Sequence, residues 1–255
     1  MKIGIISGHS IPNLMKDPEN IMVETPYGDT QVEASKLGKH DIFSISRHGS
    51  KSNLPPHKVN YLGSMQAFAS SHVECILSIG TVGSMKKSIR PGDFVIPHDF
   101  IDFTKSRPQT FYNDKRVHVD MTDPYCPSLR DTLIQSCKQM KNIKVHEKGV
   151  YLATEGPRLE TASEIQFFSQ SADIVGMTGL PEVVLAREKR ICYAALCVVC
   201  NMATGLQKSL TADEISKLYK EKQPTISKIL KTTIESLQDK RKPCRCNTIL
   251  DKASL

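Results

Sequence analysis

Short apolar runs alternate with amphipathic stretches along most of this chain. The runs Lys2–Ser7, Asp41–Ser46, Glu74–Ile79, Asp93–Pro97, Gly149–Thr154, Asp173–Met177 and Ile191–Cys200 are bounded by Gly, Pro or charged residues. That is the pattern of buried strands. Between them, Lys58–Ser71, Pro127–Met140, Thr161–Ser169 and Pro181–Lys189 predict helices. Leu129, Leu133 and Cys137 recur at helical spacing, and Pro181 occupies a first helical position, where its missing N–H is harmless. Thr211-Ala212-Asp213-Glu214 reads as a capping box opening another helix, and a further one spans about Thr225–Leu237. Strands alternating with helices predict one α/β domain over residues 1–239, a mixed, mainly parallel sheet flanked by helices. Residues 240–255 read as a basic, flexible tail.

Composition narrows the class. A chain of 255 residues buries roughly three quarters of its unfolded surface and needs no disulfide scaffold. Hydrophobic residues make up 39% and charged residues 24%, as in ordinary globular domains. The net charge of +7 raises the question of nucleic acid. Much of the excess lies in the last fifty residues, where Lys240-Arg241-Lys242-Pro243-Cys244-Arg245-Cys246 carries no interleaved aromatics. A solvated tail fits better than a nucleic-acid surface, and a basic surface would also draw in phosphate. Met1–Ser7 has too short an apolar run for a signal peptide, and no stretch approaches the roughly 20 apolar residues of a membrane span. Cys75, Cys192, Cys197 and Cys200 lie in or beside apolar runs, where cysteine behaves as a small hydrophobe. Cys197 and Cys200, three apart on a strand, point to opposite faces and cannot chelate together. Cys244 and Cys246 could oxidise, a secondary possibility. The expectation is a reducing, cytoplasmic setting. The eight His and eight Cys never cluster at ligand spacing along the chain, so no metal is expected.

Ligand sites of open α/β sheets lie at the ends of strands, and four such places carry chemistry here. In Ser7-Gly8-His9-Ser10, Gly8 allows close backbone approach and His9 or Ser10 offers a donor. In Arg47-His48-Gly49, Arg47 offers a planar fork suited to phosphate, with a donor from His48 beside it. Gly80-Thr81-Val82-Gly83-Ser84 could form a backbone anion cradle, but lacks the spacing and Lys of a triphosphate-binding loop. Gly176-Met177-Thr178 adds a hydroxyl and a soft apolar side chain. Taken singly, each is as well explained by turn chemistry or core packing. Two polar residues stand apart: Glu160, in Gly156-Pro157-Arg158-Leu159-Glu160-Thr161, and Asn201, closing the run Ile191–Cys200.

In order and spacing, from about Lys2 to Asn201, these segments resemble the trimeric purine nucleoside phosphorylase and methylthioadenosine phosphorylase family. The resemblance implies a phosphate site made of Arg47, His48, Thr178 and the backbone at Thr81, with His9 or Ser10 in the first loop. It places Met177 against the ribose and gives Glu160 and Asn201 the purine. His118, in Val117-His118-Val119-Asp120, would reach the 5′ end of a neighbouring subunit's substrate, in a homotrimer or a dimer of trimers. Ala212 and Ile215 would line the 5′ pocket. The methylthioadenosine branch carries an aspartate where Asn201 sits and a hydroxyl where Glu160 sits, so the chain leaves that branch at both base contacts. It also departs from the family at His9, where Ser or Thr is usual, and at Leu159, where an aromatic usually packs on the base.

The identity of the pair says which purine. A 6-oxopurine presents an N1–H donor beside its O6 acceptor; a carboxylate only accepts, whereas an amide donates and accepts. Glu160 plus Asn201 matches that edge, whereas adenine would turn a lone pair toward Glu160. The expected activity is reversible phosphorolysis of inosine, guanosine or 5′-methylthioinosine, with Asn201, Glu160 and His48 in the catalytic set and phosphate as co-substrate. No other cofactor, no nucleic acid and no membrane partner is expected. Methylthioadenosine phosphorolysis and a non-catalytic purine- or phosphate-binding protein on the same fold stand as alternatives. A calcium-dependent nucleoside hydrolase ranks lower, because no Asp cluster lies near the amino terminus.

Overall fold

The computed structural model describes residues 1–49, 53–208, 211–238, 243–251 and 253. Eleven strands form one mixed sheet: β1 (Lys2–Ser7), β2 (Glu19–Val23), β3 (Thr30–Leu37), β4 (His40–Ser46), β5 (Cys75–Ser84), β6 (Phe94–Val95), β7 (Asp99–Phe103), β8 (Val145–His146), β9 (Val150–Thr154), β10 (Ile174–Gly176) and β11 (Cys192–Met202). The helices are α1 (Tyr61–Ser70), α2 (Pro127–Lys138), α3 (Ala162–Phe168), α4 (Gly179–Glu188) and α5 (Ala212–Ser236). The expected α/β architecture is present, with every expected strand and helix in place apart from shifted ends and the joining noted below for α5.

Alternation along the central strands divides the core. On β11, Tyr193, Ala195, Cys197 and Val199 enter one apolar cluster, with α1 and α4. Cys192, Ala194, Leu196, Val198 and Cys200 enter the other, with α2 and α5. Cys197 and Cys200 therefore lie on opposite faces, as a period of two requires.

The connection that positions the functional site is a change of neighbour along β5. One edge of β5 runs parallel to β11 over its whole length. The other pairs in parallel with β1 only as far as Ser7 opposite Ile79. It is taken up again by β10, antiparallel, with Val175 opposite Gly83. Between those partners, residues 80–82 present an open edge. The loop expected over Gly80–Ser84 is thus a continuation of the strand; β11 holds it extended from the other side.

Three further expectations are corrected. The two helices expected after residue 210 are one: α5 runs through Pro224. A proline inside a helix costs about 3 kcal/mol. The buried stripe Tyr219, Ile226, Ile229, Leu230 and Ile234 lies on both sides of it and supplies the offsetting burial. Thr211 and Glu214 do form the expected capping box. Residues 243–251 and 253 are not a free tail. Cys246 is buried, Arg245 pairs with Asp120 at 2.9 Å, and the Ala253 carbonyl accepts the His118 N–H at 2.7 Å. Finally, folding gathers cysteines that sequence spacing kept apart: the sulfurs of Cys126, Cys192, Cys244 and Cys246 all lie within 4.8 Å of one another.

Candidate active site

A cleft of about 180 Å³ opens at the fork in β5. Gly8 and His9 from the end of β1, Arg47 and His48 from the end of β4, and residues 80–83 of β5 form one end. Leu159, Glu160, Met177, Thr178 and Asn201 line the other end, with Ile215 and Tyr219 of α5 closing the side. Nine of the expected site residues meet here: His9, Arg47, His48, Thr81, Glu160, Met177, Thr178, Asn201 and Ile215. Ser10 does not line the cleft; it is exposed, and its carbonyl accepts from Gln223 Nε2 at 3.1 Å. His118 lies outside the cleft of its own chain. The Ala212 side chain lies outside the described residues.

Arg47 is only 4% exposed. Its Nε and Nη2 hold the two oxygens of buried Glu182 at 2.5 and 3.0 Å. Nη2 also donates to Ser78 Oγ at 3.0 Å and Nη1 to the Ile79 carbonyl at 3.2 Å. Burial alone would lower the guanidinium pKa, but the Glu182 charge outweighs it and the net shift is upward. The fork is thus mostly committed to a structural ion pair. Of its five N–H groups, one on Nη1 remains for a ligand, so Arg47 offers a fixed charge and a single donor in place of the two-pronged clamp expected.

His48 carries the opposite polarity to the one expected. Its Nδ1 lies 2.6 Å from the Leu54 carbonyl, which can only accept, so Nδ1 bears the proton. Burial, then the neighbouring Arg47 charge, lowers its pKa and favours the neutral ring. A neutral ring with Nδ1–H presents a lone pair at Nε2, which lies on the Gly8 side. His9 is likewise lowered, by burial and then by the charges of Arg47 and Lys220. Its ring leans on Tyr219 with centroids 4.8 Å apart.

At the other end, Glu160 is 7% exposed and Asn201 9%. Glu160 Oε1 accepts from Thr154 Oγ1 at 2.6 Å, which leaves Oε2 for a ligand. Asn201 sits at a register shift in β11, opposite Gly83. Its Nδ2 donates to the Met202 carbonyl at 2.9 Å, leaving Oδ1 and the second amide proton. A Cβ on Gly83 would come within 2.9 Å of that Nδ2, so only glycine leaves the amide its place. Gly156 adopts φ +66°, and a Cβ there would meet Met177 Sδ at 2.6 Å. The segment leading to Glu160 thereby rests directly on Met177. Thr178 caps α4 without a side-chain capping bond, so its hydroxyl is not committed to the helix.

Three supporting residues escaped the sequence analysis. Arg107, 7% exposed, ties the site loops together: Nη1 donates to the carbonyls of Met177 and Leu180 at 2.5 and 2.7 Å, and Nη2 to that of Glu155 at 2.6 Å. It sits in an irregular segment with no periodicity to mark it. Glu182 is an interior carboxylate that only its partner explains. Tyr219 was within reach, since it lies four residues beyond Ile215 on the same helical face. Its buried hydroxyl has no hydrogen-bond partner among the described residues.

Comparison with known proteins accords with this geometry. The model of the phosphorylase superfamily matches residues 2–235. A protein of Methanocaldococcus jannaschii named "Probable S-methyl-5'-thioinosine phosphorylase" is 44% identical over 253 residues, covering 98% of both chains. One of Dictyoglomus turgidum named "Probable 6-oxopurine nucleoside phosphorylase" is 41% identical over 256 residues, covering 98% of this chain and 97% of its own. Among solved structures, a methylthioadenosine phosphorylase sourced from an antarctic soil metagenomic library superposes with a TM-score of 0.93 at 30% identity, over 99% of this chain and 92% of that one. The chain belongs to the phosphorylase superfamily, and it is an enzyme of purine nucleoside phosphorolysis.

Proposed function

We propose that this superfamily member phosphorolyses 6-oxopurine nucleosides, with 5′-methylthioinosine the favoured substrate over inosine and guanosine. The observation that carries the base preference is the buried pair Glu160 and Asn201 facing one cleft, each with an uncommitted oxygen. Glu160 Oε2 accepts N1–H of the base, and the Asn201 amide meets O6 and N7. Apolar Ile215 at the side of the cleft, together with the thioinosine name of the Methanocaldococcus relative, favours a methylthio group at the 5′ end.

Phosphate sits at the fork, on the open edge of β5 near Thr81, with Arg47, His9, His48 and the Thr178 hydroxyl around it. His48 Nε2 accepts a hydrogen bond from the protonated oxygen of monohydrogen phosphate and so orients the dianion. Another phosphate oxygen attacks C1′ as the bond to N9 breaks, and its electron pair passes to the purine. The free amide proton of Asn201 stabilises the negative charge that develops there, Glu160 holds the base in place through N1–H, and the departing purine takes up a proton from solvent. Positioning and electrostatics carry the catalysis, and no covalent enzyme intermediate is needed. Phosphate is a co-substrate, and this chemistry calls for no cofactor. His118 serves the cleft of a neighbouring copy, in a homotrimer or a dimer of trimers. In favour of such assembly, Phe103 and Phe167, 42% and 63% exposed, line a second hollow that also reaches Glu160.

The test is a panel of 5′-methylthioinosine, inosine, guanosine, adenosine and methylthioadenosine, each with and without phosphate, read by release of free base. Phosphate-dependent cleavage of the oxopurines is expected, fastest with methylthioinosine. Equal rates with the aminopurines would overturn the base assignment, and release without phosphate would overturn the reaction.

A further inference from the structure

Cys126, Cys192, Cys244 and Cys246 come from three separate parts of the chain. Cys126 is the N-cap of α2, Cys192 opens β11, and the other two lie in the carboxyl-terminal segment. Their sulfurs all lie within 4.8 Å of one another, with Cys192 and Cys244 at 3.5 Å. A tetrahedral zinc with Zn–S bonds of about 2.3 Å needs sulfurs about 3.8 Å apart, which is the scale of this cluster. An iron–sulfur cluster needs a wider cage, and a disulfide needs sulfurs at about 2.05 Å.

The surroundings suit a negatively charged centre. Cys126 lies at the positive end of a twelve-residue helix. Arg187, 4% exposed, spends Nε on the Asp120 carbonyl at 2.8 Å and turns Nη1 toward Cys246 Sγ at 4.0 Å. Three of the four cysteines are buried. Besides Cys246, the segment that brings the last two cysteines buries Ile249 and Ala253 against the body of the protein.

We propose that these four cysteines bind one zinc ion, which clasps the carboxyl-terminal segment to the body of the protein. Binding displaces the thiol protons to solvent, leaving four thiolates on the metal. The clasp fixes a segment that reaches the far loop: Arg245 pairs with Asp120, and Ala253 accepts the His118 N–H. The metal thus holds the loop bearing His118. That last consequence rests on the role proposed above for His118, whereas the site itself does not.

The experiment measures metal in the full chain, purified with a phosphine reductant and excess zinc, then passed over a desalting column with chelator. About one zinc ion per chain is expected, as for a closed site of four cysteines. Cobalt(II) in its place should show thiolate charge-transfer absorption and tetrahedral ligand-field bands. Cys244→Ser and Cys246→Ser should each lose the zinc, whereas Cys200→Ser, on a buried cysteine outside the cluster, should keep it. Should a variant fail to fold, mercurial titration of the unaltered chain, with a zinc indicator, keeps the question open to decision. Zinc should then be released in step with thiol modification. The proposal is overturned by an unaltered chain free of zinc and cobalt, by a disulfide among these cysteines under the same reducing conditions, or by tail variants that retain full zinc. Oxopurine phosphorolysis can fail or succeed independently of each of these readings.

Discussion

Removing Arg47 should injure the protein twice, and the two injuries can be separated. The Arg47→Ala change withdraws the bidentate partner of Glu182, a carboxylate with no exposed surface. Tyr193 OH at 2.8 Å and Ser78 Oγ at 3.3 Å are left to satisfy it. Breaking one side of a buried ion pair costs about 3–5 kcal/mol, a large share of a typical total stability of about 5–15 kcal/mol. It also removes the proposed phosphate contact, a charge-assisted bond worth about 1.5–3 kcal/mol, or about 10- to 150-fold in the Michaelis constant for phosphate. Adding Glu182→Gln to Arg47→Ala removes the orphaned charge. The double variant should recover most of the lost urea midpoint while its phosphate affinity stays poor. Arg90→Ala, on an exposed turn residue, should change neither. The reasoning fails if Arg47→Ala costs under about 1 kcal/mol, below the range for a broken buried pair. It fails equally if the double variant is no more stable than the single one, or if phosphate affinity returns together with stability.

Asn201→Asp should cut kcat/KM for oxopurine nucleosides by about 5- to 150-fold, because a carboxylate cannot donate to O6 and leaves it unpaired. Its rate with aminopurine nucleosides should rise relative to that, and Glu160→Gln, which can still accept N1–H, should be milder; parallel losses on all substrates would refute the base-reading role. Gly83→Ala should displace the Asn201 amide, raising KM for nucleoside about 2- to 12-fold, the worth of one neutral hydrogen bond, with a normal melting transition; unchanged kinetics would show that the amide does not touch substrate. The pKa values of His9 and His48 lie below the ordinary 6.5, so the unfolded chain takes up protons first as pH falls. Stability should therefore decline below about pH 6.5, less steeply with bound phosphate and less steeply in His48→Gln; an identical pH slope in that variant, read from urea midpoints, would count against the buried-imidazole account.

The central strands were legible because their signals are local, whereas the cleft residues were ambiguous singly and were picked out by the family resemblance of the whole set. Buried strands such as β5 and β11 are continuous apolar runs. The hairpin β2–β3 was missed because the apolar run in Glu19–Val23 is only three residues long, Ile21, Met22 and Val23, and the strand is largely exposed. Pro224 split α5 on paper, since a helix-breaking rule outweighs a stripe of burial that only the folded partners reveal. Arg47 was found but its commitment to Glu182 was not, because the two are 135 residues apart. The cysteine cluster was invisible for the same reason: ligand spacing rules see neighbours along the chain, and Cys126, Cys192 and Cys246 are neighbours only across the fold.

The gap in the β5 edge at residues 80–82 makes the proposed phosphate a removable piece of the sheet. Backbone groups that a strand would satisfy elsewhere are left for an anion, so occupancy and integrity of the fork share the same hydrogen bonds. Ligand binding to the native state alone adds about 2.7 kcal/mol of stability at a hundred times its dissociation constant. On this account the phosphate level around the enzyme governs its lifetime as well as its rate.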